Sequence, residues 1–172
     1  MTMPNPILYA YERGRFRDAM LGAIPFAVLV VVAVAPSGAS PGVRALSAAL
    51  LGGVVLAGWR GLSWSRGARQ ALLGSALAIL APAGLVAAGW ACGGPGCSGW
   101  CATVCGSAGL VGGFTVGLKS RDWSMLATGM LIVGVAAALG CWPMGVGVVA
   151  STVAAVGVAT LSGWGLRTLP LG

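Results

Sequence analysis

The chain is a succession of apolar stretches, each long enough to cross a bilayer and each closed by glycine, proline or a group of arginines. A spanning helix needs about 17 to 25 mostly apolar residues, and six segments qualify: 20–36, 43–59, 70–90, 99–118, 123–141 and 144–164. None carries Asp, Glu, His, Lys or Arg apart from Arg44, at the second position of 43–59. Turn chemistry separates them: Pro36-Ser37-Gly38-Ala39-Ser40-Pro41-Gly42, Gly93-Gly94-Pro95-Gly96 and Trp142-Pro143. The expected fold is all-α, a polytopic bundle of six transmembrane helices with short loops. Residues 1–19 are expected to form a short basic cytoplasmic segment, and 20–172 a single transmembrane domain.

Composition excludes the water-soluble alternative. Apolar residues make up 58% of the chain, charged residues only 8%, and there are 30 glycines, a bias typical of membrane helices. The net charge of +7 does not read as a nucleic-acid surface, because the basic residues fall singly or in threes between apolar runs rather than on one face. They read as topology signals. Arg13, Arg15, Arg17, Arg60, Arg66, Arg69, Lys119, Arg121 and Arg167 lie on one side of the expected bilayer and only Arg44 on the other. The positive-inside rule then puts both termini in the cytoplasm of a bacterial inner membrane. All seven tryptophans fall near span ends, where an indole buries its ring and keeps its N–H wet. Ala33-Val34-Ala35 after an arginine-led apolar run also resembles a secretory cleavage site, but Pro36 directly follows it and the run is long enough to span.

The five cysteines all fall on the outer side of this map, four of them between Cys92 and Cys105. An oxidising compartment favours disulfides there. Cys92 and Cys97 lie in a Gly-Pro loop and Cys141 beside Trp142-Pro143, so a bridge between the two outer loops is feasible, either as a staple or as a regulatory thiol pair. The chain has no histidine, and its acids, Glu12, Asp18 and Asp122, lie on the cytoplasmic side. No resident cofactor is expected. Any metal site would be all-sulfur, for a soft ion such as Cu(I), with Cys92, Cys97, Cys101, Cys105 and Cys141 as candidate ligands and Met144 as an added thioether.

Cys101 and Cys105 have a simpler reading. At intervals of four they continue into Gly109, Gly113 and Gly117, a stripe of small residues on one helix face that lets a neighbouring helix approach closely. The sixth span carries a similar series, Gly147, Ser151, Ala155, Ala159 and Gly163. Catalysis is not expected. The sequence holds no phosphate loop, no serine-nucleophile elbow and no zinc-protease motif, and the intramembrane charges that ion-coupled carriers use are missing.

The order of features resembles a known family. An outer cysteine before the fourth helix, the basic loop Lys119-Ser120-Arg121-Asp122, a Gly/Ala-rich fifth helix closing in Ala138-Leu139-Gly140-Cys141-Trp142-Pro143, and a sixth ending in Gly165-Leu166-Arg167 look like the six-helix bacterial membrane anti-sigma factors of the sigma F regulator type. The likeness is best over residues 90–168. It implies that Cys141, with Cys92 or Cys97, senses oxidant or metal from outside while the protein sequesters an extracytoplasmic-function sigma factor. The family usually has His before this cysteine and Pro directly after it, where this chain has Gly140 and Trp142. A cytoplasmic partner surface would be formed by Arg13, Arg15 and Arg17 with interleaved aromatics, and by Arg60, Arg66 and Arg69. The same features also suit a structural subunit of a larger membrane complex, or a small passive carrier of thiophilic metal.

Overall fold

The computed structural model describes residues 6–37, 40–88 and 98–168. They form α1 (Pro6–Ser37), α2 (Pro41–Arg60), α3 (Leu62–Ala87), α4 (Ser98–Lys119), α5 (Trp123–Cys141) and α6 (Val146–Thr168), with a single 3-10 turn at Trp142–Met144. No strand occurs among the described residues. Five of these helices, α1, α2, α3, α5 and α6, are long and apolar enough to cross a membrane. Large apolar side chains point outward along them, including Leu21, Ile24, Val28 and Val31 on α1, Leu73, Leu77 and Leu80 on α3, and Val158 and Leu161 on α6. An apolar exterior of this extent is what a lipid solvent permits and water does not.

Two helices begin earlier than the apolar runs predict. α1 starts at Pro6 rather than near residue 20, so Arg13, Arg15 and Arg17 lie within a helix. α3 starts at Leu62 rather than 70, which makes the expected arginine loop a single residue, Gly61, and puts Arg66 and Arg69 on the first turns of the helix. The reason is that apolarity marks where lipid begins, not where hydrogen bonding begins, and arginine is a good helix former. Gly61 makes the one-residue connection with φ +133°, a conformation that only glycine adopts without strain. At the other end of α2, Ser40 accepts a hydrogen bond from the Val43 amide at 3.4 Å, and Pro41 occupies the first turn, where its missing N–H is harmless.

α5 is the central helix and packs on α2, α3, α4 and α6. Apolar on every side, it is the most buried of the helices, although Trp123 and Leu131 remain exposed. The most extensive interfaces join α4 to α6, α3 to α5 and α1 to α2. Four of the buried hydroxyls do not require cross-helix partners: Ser120, Thr128, Thr152 and Thr160 each donate to the carbonyl four residues earlier, at 2.6–2.8 Å, whereas the buried Ser75 hydroxyl has no partner among the described residues.

Proline inside α3 has a structural consequence. Pro82 lacks the N–H that would bond to the Ala78 carbonyl, so that oxygen is left without its helical donor. Gly140 of α5 packs directly against it, so closely that a methyl group at 140 would overlap the oxygen. A Cα–H group can approach a carbonyl in this way and partly satisfy it. Gly140 is thus dictated by the proline on the neighbouring helix, which accounts physically for the absence of a larger side chain before Cys141.

Candidate functional site

The two ends of the bundle carry different chemistry. At one end the basic side chains gather at helix termini. Arg15 of α1 donates to the Trp59 carbonyl at the end of α2, and Arg167 of α6 donates through one nitrogen to the Ser120 carbonyl at 2.6 Å and toward that of Leu118 at 3.4 Å, at the end of α4. Gln70 of α3 donates to the Lys119 carbonyl at 3.4 Å. Each contact uses a donor on one helix to satisfy the orphan carbonyls that close another, where the helix dipole also favours a cation. Phe16 meets Trp59 edge-on at 6.5 Å and the Arg15 guanidinium lies 5.8 Å from the Tyr11 ring centre, so the start of α1 is tied to the end of α2.

The expected partner-binding residues therefore separate. Arg13 and Arg17 are exposed on α1, Arg60 is exposed at the end of α2, and Arg15 is half-buried in its capping contact. Arg69 faces Asp18 across a small cleft between α1 and α3. Arg66 instead joins Lys119, Arg121 and Arg167 around a second depression, between α3, α6 and the α4–α5 turn.

At the opposite end the fold brings sulfur together. The Cys105 thiol of α4 donates toward Met144 Sδ at 3.5 Å, and the thiols of Cys105 and Cys141 are hydrogen-bonded to each other. Thr152 Oγ1 of α6 lies 3.8 Å from Cys141 Sγ while holding the Val148 carbonyl at 2.8 Å. Both cysteines are about 1% exposed. Cys141 is thus buried between α4 and α6 rather than standing open on an outer loop, and beside it lies Cys105, which the sequence offered both as a soft-metal ligand and as part of the packing stripe. The 3-10 turn Trp142–Met144, with Pro143 inside it, follows directly on Cys141 and carries Met144 to within reach of Cys105 of α4, and Gly145 (φ +101°) then leads the chain into α6. Cys92, Cys97 and the Cys101 side chain lie outside the described residues.

Two thiols and a thioether form a soft donor set. A metal–sulfur bond of about 2.3 Å puts the sulfurs of a trigonal site about 4 Å apart, and Cys105 Sγ lies 3.5 Å from Met144 Sδ. Such a set suits Cu(I) and similar thiophiles and gives hard cations nothing to bind. Among the described residues no group of three or more His, Cys, Asp or Glu side chains gathers anywhere, and this cluster reaches three donors only by counting the Met144 thioether.

The stripe below the sulfur cluster faces α6. A methyl group at Gly109 would sit 3.1 Å from Thr152 Cγ2, one at Gly113 would sit 2.5 Å from the Val156 carbonyl oxygen, and one at Gly117 would overlap the Thr160 carbonyl. The surface it meets on α6 is Thr152, Val156, Thr160 and Gly163, not the small-residue series expected there. Gly147 and Ser151 are exposed and Ala155 half-buried, and only Ala159 and Gly163 of that series are buried. On α6 the larger side chains flank backbone that the glycines reach, so small size was the wrong criterion for locating that face. Thr152 was the site residue with no sequence signal. A lone threonine in an apolar run looks like any other.

Compared with family models, with curated proteins and with solved structures, the chain matches none.

Proposed function

We propose that this protein is a membrane-embedded regulator that reads thiol-reactive stress at the Cys105–Cys141–Met144 cluster and passes the change along α4 and α6 to the basic end of the bundle. The observation that carries the reading is the convergence of three sulfur atoms from α4, from α5 and from the turn before α6. A soft ion held there, or an oxidant removing two electrons and two protons from the two thiols to join them, would draw α4 and α5 together. The α4–α6 seam is packed backbone to backbone, and such seams respond by small discrete shear rather than by bending. Arg167 on α6 holds the end of α4, so movement along the seam is delivered to the cationic end.

In this reading α4 is the sixth span, the basic end and both termini are cytoplasmic, and the sulfur end faces outward across a bacterial inner membrane. The partner is the one implied by the resemblance to membrane anti-sigma factors, a cytoplasmic sigma factor held at Arg13, Arg17, Arg60 and neighbouring basic groups. The protein is not an enzyme in this account. One observation favours a second role, as a subunit of a larger membrane complex. Gly147, Ser151 and Gly157 leave α6 with a small-residue face that meets nothing within the chain, and such faces admit helices of other proteins.

Serine substitution tests the reading. Cys105→Ser and Cys141→Ser should accumulate normally in the membrane while a reporter for the host's extracytoplasmic-function sigma factors loses its response to cadmium, silver or a thiol oxidant. An undiminished response in both variants would remove the sulfur cluster from the mechanism.

A further inference from the structure

The depression at the basic end has a chemistry of its own. Its wall is formed by Arg66 from α3, Lys119 and Arg121 around the α4–α5 turn, and Arg167 from α6, with Gln70 between them. Leu118 and Met125 give it an apolar floor, its volume is about 670 Å³, and no acidic side chain lines it. Four cations share this space, the acid of the adjoining turn, Asp122, does not line it, and a bound anion would relieve their mutual repulsion. Arg167 is held in place by the carbonyls of Ser120 and Leu118, and Gln70 by that of Lys119, so the rim is preorganised by backbone rather than by mobile ion pairs.

Depth identifies the kind of anion. Trp123 and Trp164, at the first turn of α5 and the last turns of α6, pack edge to face at 5.5 Å beside this site. Tryptophan pairs at helix ends mark the level where headgroups meet hydrocarbon. A free phosphate or an acidic peptide would use the cationic rim and leave the Leu118–Met125 floor wet. A phospholipid uses both, phosphate on the rim and glycerol with the first acyl carbons on the floor. We infer that this depression is a binding site for the phosphodiester headgroup of an anionic phospholipid, formed by Arg66, Lys119, Arg121 and Arg167. Basic pockets between membrane helices are suited to such headgroups by the same combination of charge and depth. The inference rests only on the helices spanning a membrane and is independent of any role for the sulfur cluster.

The test is native mass spectrometry of the full chain from detergent, after mixing with phosphatidylglycerol or with phosphatidylcholine of the same acyl chains. Phosphatidylglycerol should remain bound in preference to phosphatidylcholine. Removing charge with the double variant Lys119→Gln/Arg121→Gln, which leaves the capping Arg167 intact, should weaken that binding about fivefold per charge. Arg13→Gln/Arg17→Gln has the same net charge but lies outside the depression, and should bind as the parent does. Equal retention of the two lipids, equal loss in the two double variants, or displacement by millimolar inorganic phosphate would each overturn the inference.

Discussion

Gly113 and Gly117 in α4 and Gly52 and Gly53 in α2 are the same residue in similar apolar helices, yet they do opposite things. The first pair lies against the backbone of α6, with no space for a β-carbon, whereas nothing lies within 4 Å of where a β-carbon would stand on Gly52 or Gly53. Close packing in this molecule is therefore concentrated in the half built from α3, α4, α5 and α6. Among the described glycines of α1 and α2, comparable approaches occur at Gly58, against Ala19, and at Gly42, against the flat ring of Trp142 rather than backbone. The lesson is that a glycine's meaning in a membrane helix is set by what faces it. Where a carbonyl faces it, glycine is a requirement; where lipid faces it, it is a tolerated substitution.

The sharpest way to break this contrast is to overfill the seam. Gly117→Leu should separate α4 from α6, because the side chain would have to enter the Thr160 carbonyl and the backbone of Trp164. Overpacking of a tight core costs about 1–3 kcal/mol and occasionally more, and rigid backbone on the receiving side puts this substitution at the upper end. Thermal unfolding in detergent, followed by tryptophan fluorescence, should show a large fall in midpoint. A variant as stable as the parent would mean that α4 and α6 do not meet as described.

The fixed carbonyl of Ala78 gives a second, smaller effect. Gly140→Ala adds a single methyl group, but places it against an oxygen that Pro82 has left without its helical donor. Loss of the Cα–H approach together with local displacement of α3 from α5 should destabilise by about 1–2 kcal/mol. If Gly140→Ala is neutral, the proline has no influence on α5, and the glycine before Cys141 needs another explanation.

These contacts also show how far the sequence could be read. The helices were legible because spanning lipid demands an uninterrupted apolar run, and residues 123–141 form a helix with those same bounds. The start of α1 and of α3 was not legible: Gly67, Ser63 and Ser65 weaken helix locally and the arginines end apolarity, yet the helix continues through them because Gly67 packs against the backbone of Met125. Half of the seam was readable: the interval of four from Cys105 to Gly117 marks one face. Its receiving surface was not, because Thr152, Val156 and Thr160 present backbone rather than small side chains. Cys105, Cys141 and Met144 stood among the candidate soft-metal ligands, but which of those candidates meet was not legible. Cys105 is 36 and 39 positions from Cys141 and Met144, and no local pattern encodes which helix ends pack together.

Gly52→Ala is the small effect that sharpens the comparison most. In water an exposed glycine-to-alanine change within a helix gains about 0.5–1 kcal/mol, largely because the unfolded chain loses freedom. In a bilayer the reference state differs: a helix that loses its partners stays helical, since its backbone groups have no water to bond to. The gain from restricting an unfolded backbone should then almost vanish, and the added methyl group should meet only lipid. Gly52→Ala is expected to leave the unfolding midpoint within about 1–2 °C of the parent, which corresponds to a few tenths of a kcal/mol for a chain of this size. A clear rise would mean that α2 unwinds when the bundle opens, as a helix in water does. A clear fall would mean that another surface, from a second copy or from a partner, occupies the space that the chain by itself leaves open at Gly52.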